Sequence, residues 1–206
     1  MDAARYAAAE TFLAGLDADW AQHLQRVGPC RLECHLQREP YEALVRSVAF
    51  QQLHGRAAEA ILGRLLALFP GQDFPTPEQL LALPVDVMRG CGFSARKIET
   101  LQGIATASLA GRVPDRQTAL AMDDEALIEQ LVTLRGVGRW TVEMLLIFTL
   151  GRMDILPVDD FGVREGYRRL KGLELQPNRR QMAEFGLQLA PHRSVAAWYL
   201  WRVMDS

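Results

Sequence analysis

Three cysteines in 206 residues, Cys30, Cys34 and Cys91, are too few and too irregularly spaced for a disulfide framework or a zinc site. They read as reduced thiols, which favours a cytoplasmic protein. Long apolar runs are missing as well: none reaches the ~18 residues needed to span a bilayer. The N-terminal "MDAARYAAAETF" lacks the basic-then-apolar pattern of an export signal. Alternating β-branched runs are scarce; "CRLECHL" is the one plausible strand, and it is too isolated to build a sheet. An excess of positive charge is also absent. The net charge of -2 argues against holding polyanions by bulk attraction alone, although "REGYRRLKG" and "NRRQ" leave room for one positive face.

Apolar residues at helical spacing fill the space left by these absences, as in "YEALVRSVAFQQL" and "AAEAILGRLLALF". The chain is predicted to be all-α, with about ten helices joined by short Gly or Pro connections. Thr76, Pro77 and Gln79 form a capping box with Pro at the first helical position, and Ser94 caps "ARKIETLQGIA". No linker or repeat divides the chain. A single unit is expected, with an internal helical lobe at about residues 40–125, a second lobe from 1–39 and 126–206, and a cleft between them.

The most informative stretch is "DDEALIEQLVTLRGVGRWTVEMLLIFTLG", residues 123–151. Leu127, Leu131 and Leu134 line one helix, "RGVG" breaks it, and an apolar helix follows from Arg139. An ordinary αα-hairpin would need its glycines only for positive φ. Gly136 and Gly138 around Val137 do more: they bare backbone N–H groups at a helix N-terminus, where the helix dipole favours an anion. That nest suits a nucleic-acid phosphate, with Val137 docking the turn and the Arg139 and Thr141 side chains adding contacts. Such contacts position without reading sequence.

Downstream, "DILPVDDFGVREG" places Asp159 and Asp160 side by side before a helix, a pairing that ordinarily marks a capping turn. "LRGVGRWTVEMLLIFTLGRMDILPVDDFGV" resembles the helix-hairpin-helix, Gly/Pro-rich segment and Asp of the HhH-GPD superfamily of DNA base-excision glycosylases. "LVRSVAFQQLHGRAA", "GFSARKIETLQGIA" and "HRSVAAWYLW" extend the resemblance and point to the AlkA-type 3-methyladenine DNA glycosylase II branch, without that branch's β-rich N-terminal domain. The resemblance implies a two-lobed HhH-GPD fold acting as a monomer on double-stranded DNA that contains damaged bases.

The same resemblance assigns roles. Asp160 takes the catalytic position, with Asp159 left to cap the helix opening near Phe161; a register anchored on Pro157 would choose Asp159 instead. Trp140 and Trp201 match two base-pocket tryptophans, and Phe161, Met144 and Phe50 join the pocket. "FQQLHG" matches the minor-groove loop, where Gln52, Leu53 and His54 are all wedge candidates. Glu143 either reaches the base or, as is commoner for such a residue, is solvated or paired with a nearby Arg. Bifunctional relatives carry a nucleophilic lysine where this chain has Trp140, and an indole cannot attack a sugar carbon. With no Cys after Cys91, the iron-sulfur cluster of other relatives is excluded. No cofactor is expected, apart from a monovalent cation at the hairpin. The implied activity is monofunctional excision of cationic N3- or N7-methylated purines; the alternatives are a non-catalytic DNA-binding module and a glycosylase/lyase.

Overall fold

The structure is a computed structural model that describes residues 3–52 and 55–203. Thirteen α-helices and one 3-10 turn make up its regular structure, and no strand forms among the described residues. The first six are α1 (Ala3–Ala14), α2 (Ala18–Val27), α3 (Pro40–Phe50), α4 (Gly55–Leu66), α5 (Pro77–Ala82) and α6 (Val85–Cys91). Then come α7 (Ala95–Leu109), α8 (Arg116–Ala121), α9 (Asp124–Leu131) and α10 (Arg139–Phe148). The last three are α11 (Phe161–Leu170), α12 (Arg179–Gly186) and α13 (Arg193–Arg202).

The chain divides into two compact units, residues 36–145, and residues 1–35 with 146–206. The hairpin, assigned from sequence to the lobe of the two ends, lies in the internal unit as far as Leu145. Its contacts explain why: Gln51 Nε2 donates to Gly136 O at 3.2 Å, and Gln130 Nε2 donates to Arg112 O at 2.9 Å.

In the internal unit α7 packs on α3 and α5, burying Leu44, Val45, Val48, Leu80, Leu101 and Ile104. Each such aliphatic side chain contributes about 1.5–3 kcal/mol by leaving water. Helix starts follow local chemistry. Thr76 and Gln79 form the reciprocal capping box, and Ser94 Oγ accepts from Lys97 N at the start of α7.

In the unit of the two ends α11 lies against α13, with α1 and α2 also touching α13. Gly166 permits that approach, because a Cβ there would run into the Leu200 carbonyl. The segment 30–35 has no regular secondary structure; His35 N–H donates to Phe148 O at 2.7 Å and Tyr6 Oη to Leu32 O at 2.8 Å. Those bonds satisfy backbone groups that a strand partner would otherwise take. Cys30, Cys34 and Cys91 are free thiols, and burial pushes Cys30 up to about 12, so its thiolate does not form near neutrality.

Candidate active site

Helix α11 begins at Phe161, so its N-cap is Asp160: Oδ1 accepts from Val163 N–H at 2.8 Å. This corrects the expected division of labour, in which Asp159 caps. A cap must precede the first helical residue for its oxygen to reach the N–H of the third. Asp159 is one residue too early; it is exposed and faces Arg179 at 3.5 Å. The same Asp160 Oδ1 accepts from Trp201 Nε1–H at 2.9 Å, so the acid and one pocket tryptophan of the sequence reading meet directly.

Three residues make that meeting possible. Ser194, fully buried, donates to Arg152 O at 2.7 Å and accepts from Ile155 N–H at 3.0 Å, tying the start of α13 to the loop that carries the aspartates. Arg193 adds a bidentate pair with Asp154 at 2.7 and 2.8 Å, and its hydrogen bonds hold the Asp154 carboxyl below the usual carboxylate range. Phe148 stacks on Trp201, with ring centroids 5.8 Å apart and planes 21° from parallel. Phe148 was missed by sequence reasoning, since in an apolar helix nothing distinguishes it from core. Beside the acid, Phe161 stands 66% exposed.

The basic cluster on α11 is largely neutralised locally. Arg168 and Arg169 both bond Glu165, holding its carboxyl down at about 2, and Lys171 bonds Asp17 and Asp19. The "REGYRRLKG" run is therefore not the free positive face that its spacing suggests.

The hairpin belongs to the internal unit. Gly136 has φ +84°, Val137 is buried, and the space around Gly138 is open. That leaves backbone bared at the start of α10, as the two-glycine pattern implies. The side chains there depart from expectation. Thr141 is 3% exposed with its hydroxyl 3.5 Å from Gln51 Nε2, so it faces the protein interior. Arg139 forks onto Glu125 at 2.6 and 2.7 Å and reaches Glu143 Oε1 at 3.0 Å; the bonds to Glu125 lead in raising its pKa. Its charge is thereby offset by two carboxylates. Glu143, 3% exposed, is not the solvated residue of one reading and takes the Arg-paired alternative.

Trp140 is 42% exposed on the first turn of α10, and Met144, half-buried, sits one turn further along the same face. Phe50, partly exposed, ends α3. Gln52 follows it exposed and in the left-handed region at φ 58°, an uncommon conformation for a residue with a side chain. Leu53 and His54 lie outside the described residues. Among the described residues no three His, Cys, Asp or Glu side chains converge as a metal site would need, and no helix is long and apolar enough to cross a membrane.

The decisive comparison is with protein families: the model described as HhH-GPD superfamily base excision DNA repair protein matches residues 45–192. The chain belongs to the HhH-GPD superfamily. This HhH-GPD protein is 45% identical to DNA-3-methyladenine glycosylase 1 of Schizosaccharomyces pombe, over 94% of its own length and 86% of the relative's. It is 35% identical to the alkylbase DNA glycosidase-like protein mag2 of the same yeast, over 96% and 93%. Among solved structures, the S. pombe 3-methyladenine DNA glycosylase in complex with abasic DNA superposes with a TM-score of 0.87 at 44% identity, covering 96% of this chain and 97% of that one. The DNA-3-methyladenine glycosidase of Bacillus halodurans gives 0.82 at 32% identity, with 94% and 88% covered.

Proposed function

We propose that this HhH-GPD protein is a monofunctional DNA glycosylase that flips alkylated, cationic purines out of duplex DNA and hydrolyses their N-glycosidic bond, initiating base excision repair inside the cell. The observation that carries the reading is a single carboxylate, Asp160, held by a helix N-terminus and an indole, in a chain similar over nearly its whole length to a 3-methyladenine DNA glycosylase.

A purine methylated at N3 or N7 already carries positive charge, so its leaving group needs no proton from the enzyme. What the reaction needs is negative charge near the sugar as oxocarbenium character develops. A carboxylate ~4 Å away is worth about 4 kcal/mol at an effective dielectric near 20, or about a thousandfold in rate. Asp160 supplies that charge, and water completes the hydrolysis, taken from solvent and deprotonated by the same carboxylate. The indole faces of Trp201 and Trp140 each attract an electron-deficient ring by about 0.5–2 kcal/mol, and Phe161, Met144 and Phe50 are assigned as further contacts to the base.

The hairpin backbone around Gly136 and Gly138 holds a DNA phosphate, and the loop after Phe50 fills the gap left by the flipped base. No cofactor enters these steps. Leu134 O and Gly136 O accept from Val137 N–H and Gln51 Nε2, and each retains a lone pair through which the hairpin could hold a monovalent cation. The protein acts as a monomer. Incubation with methylated duplex DNA should release free 3-methyladenine or 7-methylguanine, with no adduct trapped by borohydride. Binding without base release would instead favour a non-catalytic DNA module, and a trapped adduct a lyase.

A further inference from the structure

Asp160 Oδ1 receives two hydrogen bonds of different origin. One comes from its own helix, the Val163 N–H at 2.8 Å; the other comes from Trp201 Nε1–H, 41 residues away, at 2.9 Å. An indole N–H can only donate, so the sense of the second bond is fixed. The torsion that turns an Asp carboxylate is broad, and one cap bond would leave the plane of the group free to swing. A second donor from another helix removes that freedom.

The surroundings are shaped to keep this donor in place. A Cβ on Gly162 would lie 2.8 Å from Trp201 Cδ1 and 3.2 Å from Asp160 Oδ1, so a side chain there would drive the indole and the carboxylate apart. Phe148 backs the indole ring by stacking on it. The ring is thus held by its packing and the acid is held by the ring.

We propose that Trp201 is a positioning residue for Asp160, acting through its ring N–H, in addition to offering its face to the base; the inference rests on Asp160 being the acid of the proposed reaction. A charge oriented before the substrate arrives stabilises the transition state without reorganising during the reaction. The two roles of Trp201 reside on different parts of the ring, which makes them separable. Phe retains the aromatic face and drops the donor, whereas Leu drops both.

The test is single-turnover release of 7-methylguanine from a methylated duplex by wild type, Trp201→Phe, Trp201→Leu and Gly162→Ala, with affinity for a duplex carrying an abasic-site analogue measured in parallel. The abasic duplex has no base to stack and so reports general damage. Loss of a hydrogen bond to a charged group should slow Trp201→Phe about 10- to 100-fold at saturating enzyme, with abasic-duplex affinity unchanged. Gly162→Ala should show the same pattern with the tryptophan still present, since Ala is the better helix former and should not harm α11. It also carries the test if Trp201→Phe fails to fold. A Trp201→Phe rate equal to wild type with a slow Trp201→Leu would leave stacking alone and overturn the proposal. So would a parallel loss of abasic-duplex affinity. An inactive wild type would overturn the glycosylase reading itself and this inference with it.

Discussion

Gly136 and Thr100 are in such close contact that a Cβ on the glycine would lie 2.6 Å from the threonine hydroxyl and 2.7 Å from its methyl. Gly136 also has φ +84°. Its two demands add: left-handed backbone costs a side-chain-bearing residue about 1–2 kcal/mol, and overpacking about as much again. Gly136→Ala is therefore expected to destabilise by about 2–4 kcal/mol, lowering Tm by roughly 5–15 °C. Gly138 has open space and no such φ, so Gly138→Ala should change stability by less than about 1 kcal/mol. If the bared N–H groups hold a phosphate, that second variant should still bind duplex DNA several-fold more weakly. Unchanged DNA affinity in a well-folded Gly138→Ala would remove the hairpin from the interface.

The two aspartates separate in the same way. Asn caps a helix as well as Asp does, so Asp160→Asn should keep its stability and lose excision by about a thousandfold. Asp160→Ala should lose the same activity and, with the cap gone, about 1 kcal/mol of stability. Asp159→Ala breaks only an exposed 3.5 Å pair with Arg179 and should cost less than about 0.5 kcal/mol, with excision intact. Excision assays paired with urea unfolding would check all three. If Asp159→Ala is as inactive as Asp160→Asn, the acid role has to be shared or reassigned.

What the sequence revealed and what it concealed divide along range of interaction. Capping by Thr76 and Ser94 and the break at "RGVG" were legible because each is written within four residues. The capping aspartate was misassigned because it turns on a single residue of register at the helix start, the least certain feature of any helix. Arg139 pairs locally with Glu143, but its other partner Glu125 and the partner of Trp201 lie 14 and 41 residues away, and no local pattern specifies those two. Gly162 stood in the quoted "DDFGV", yet its role depends on an indole from another helix.

His23 makes stability depend on pH. Its ring is 3% exposed, Nε2–H donates to Tyr199 O at 2.8 Å, and Nδ1 accepts from Arg26 at 3.1 Å. Burial is the main reason its pKa falls below the ordinary 6.5; Arg26 lowers it further and the Tyr199 carbonyl opposes the shift. The folded protein keeps this ring neutral where the unfolded chain would protonate it, so unfolding takes up a proton as the pH falls below about 6.5. The contribution is present above that pH and lost on acidification. Urea midpoints at about pH 7.5 and about pH 5 should fall more for wild type than for His23→Gln. Equal falls would show that other groups carry the dependence.

Lys97 and Gln51 hold the backbone that leads into the loop after Phe50. Lys97 Nζ donates to Ala49 O at 2.8 Å, and Gln51 Nε2 donates to Gly136 O at 3.2 Å, 85 residues along the chain. Thr100, one turn beyond Lys97 on α7, meets Gly136, so one helix face registers both the loop and the hairpin turn. If that loop fills the gap left by a flipped base, as proposed, it matters only where a duplex has to be opened. Lys97→Met and Gln51→Ala should therefore slow base release from methylated duplex DNA by about tenfold or more, while release from methylated single strands is unchanged. The two variants guard each other, because Gln51 carries no charge and its loss cannot act through phosphate attraction. Equal slowing on both substrates would reduce these contacts to general support of the fold.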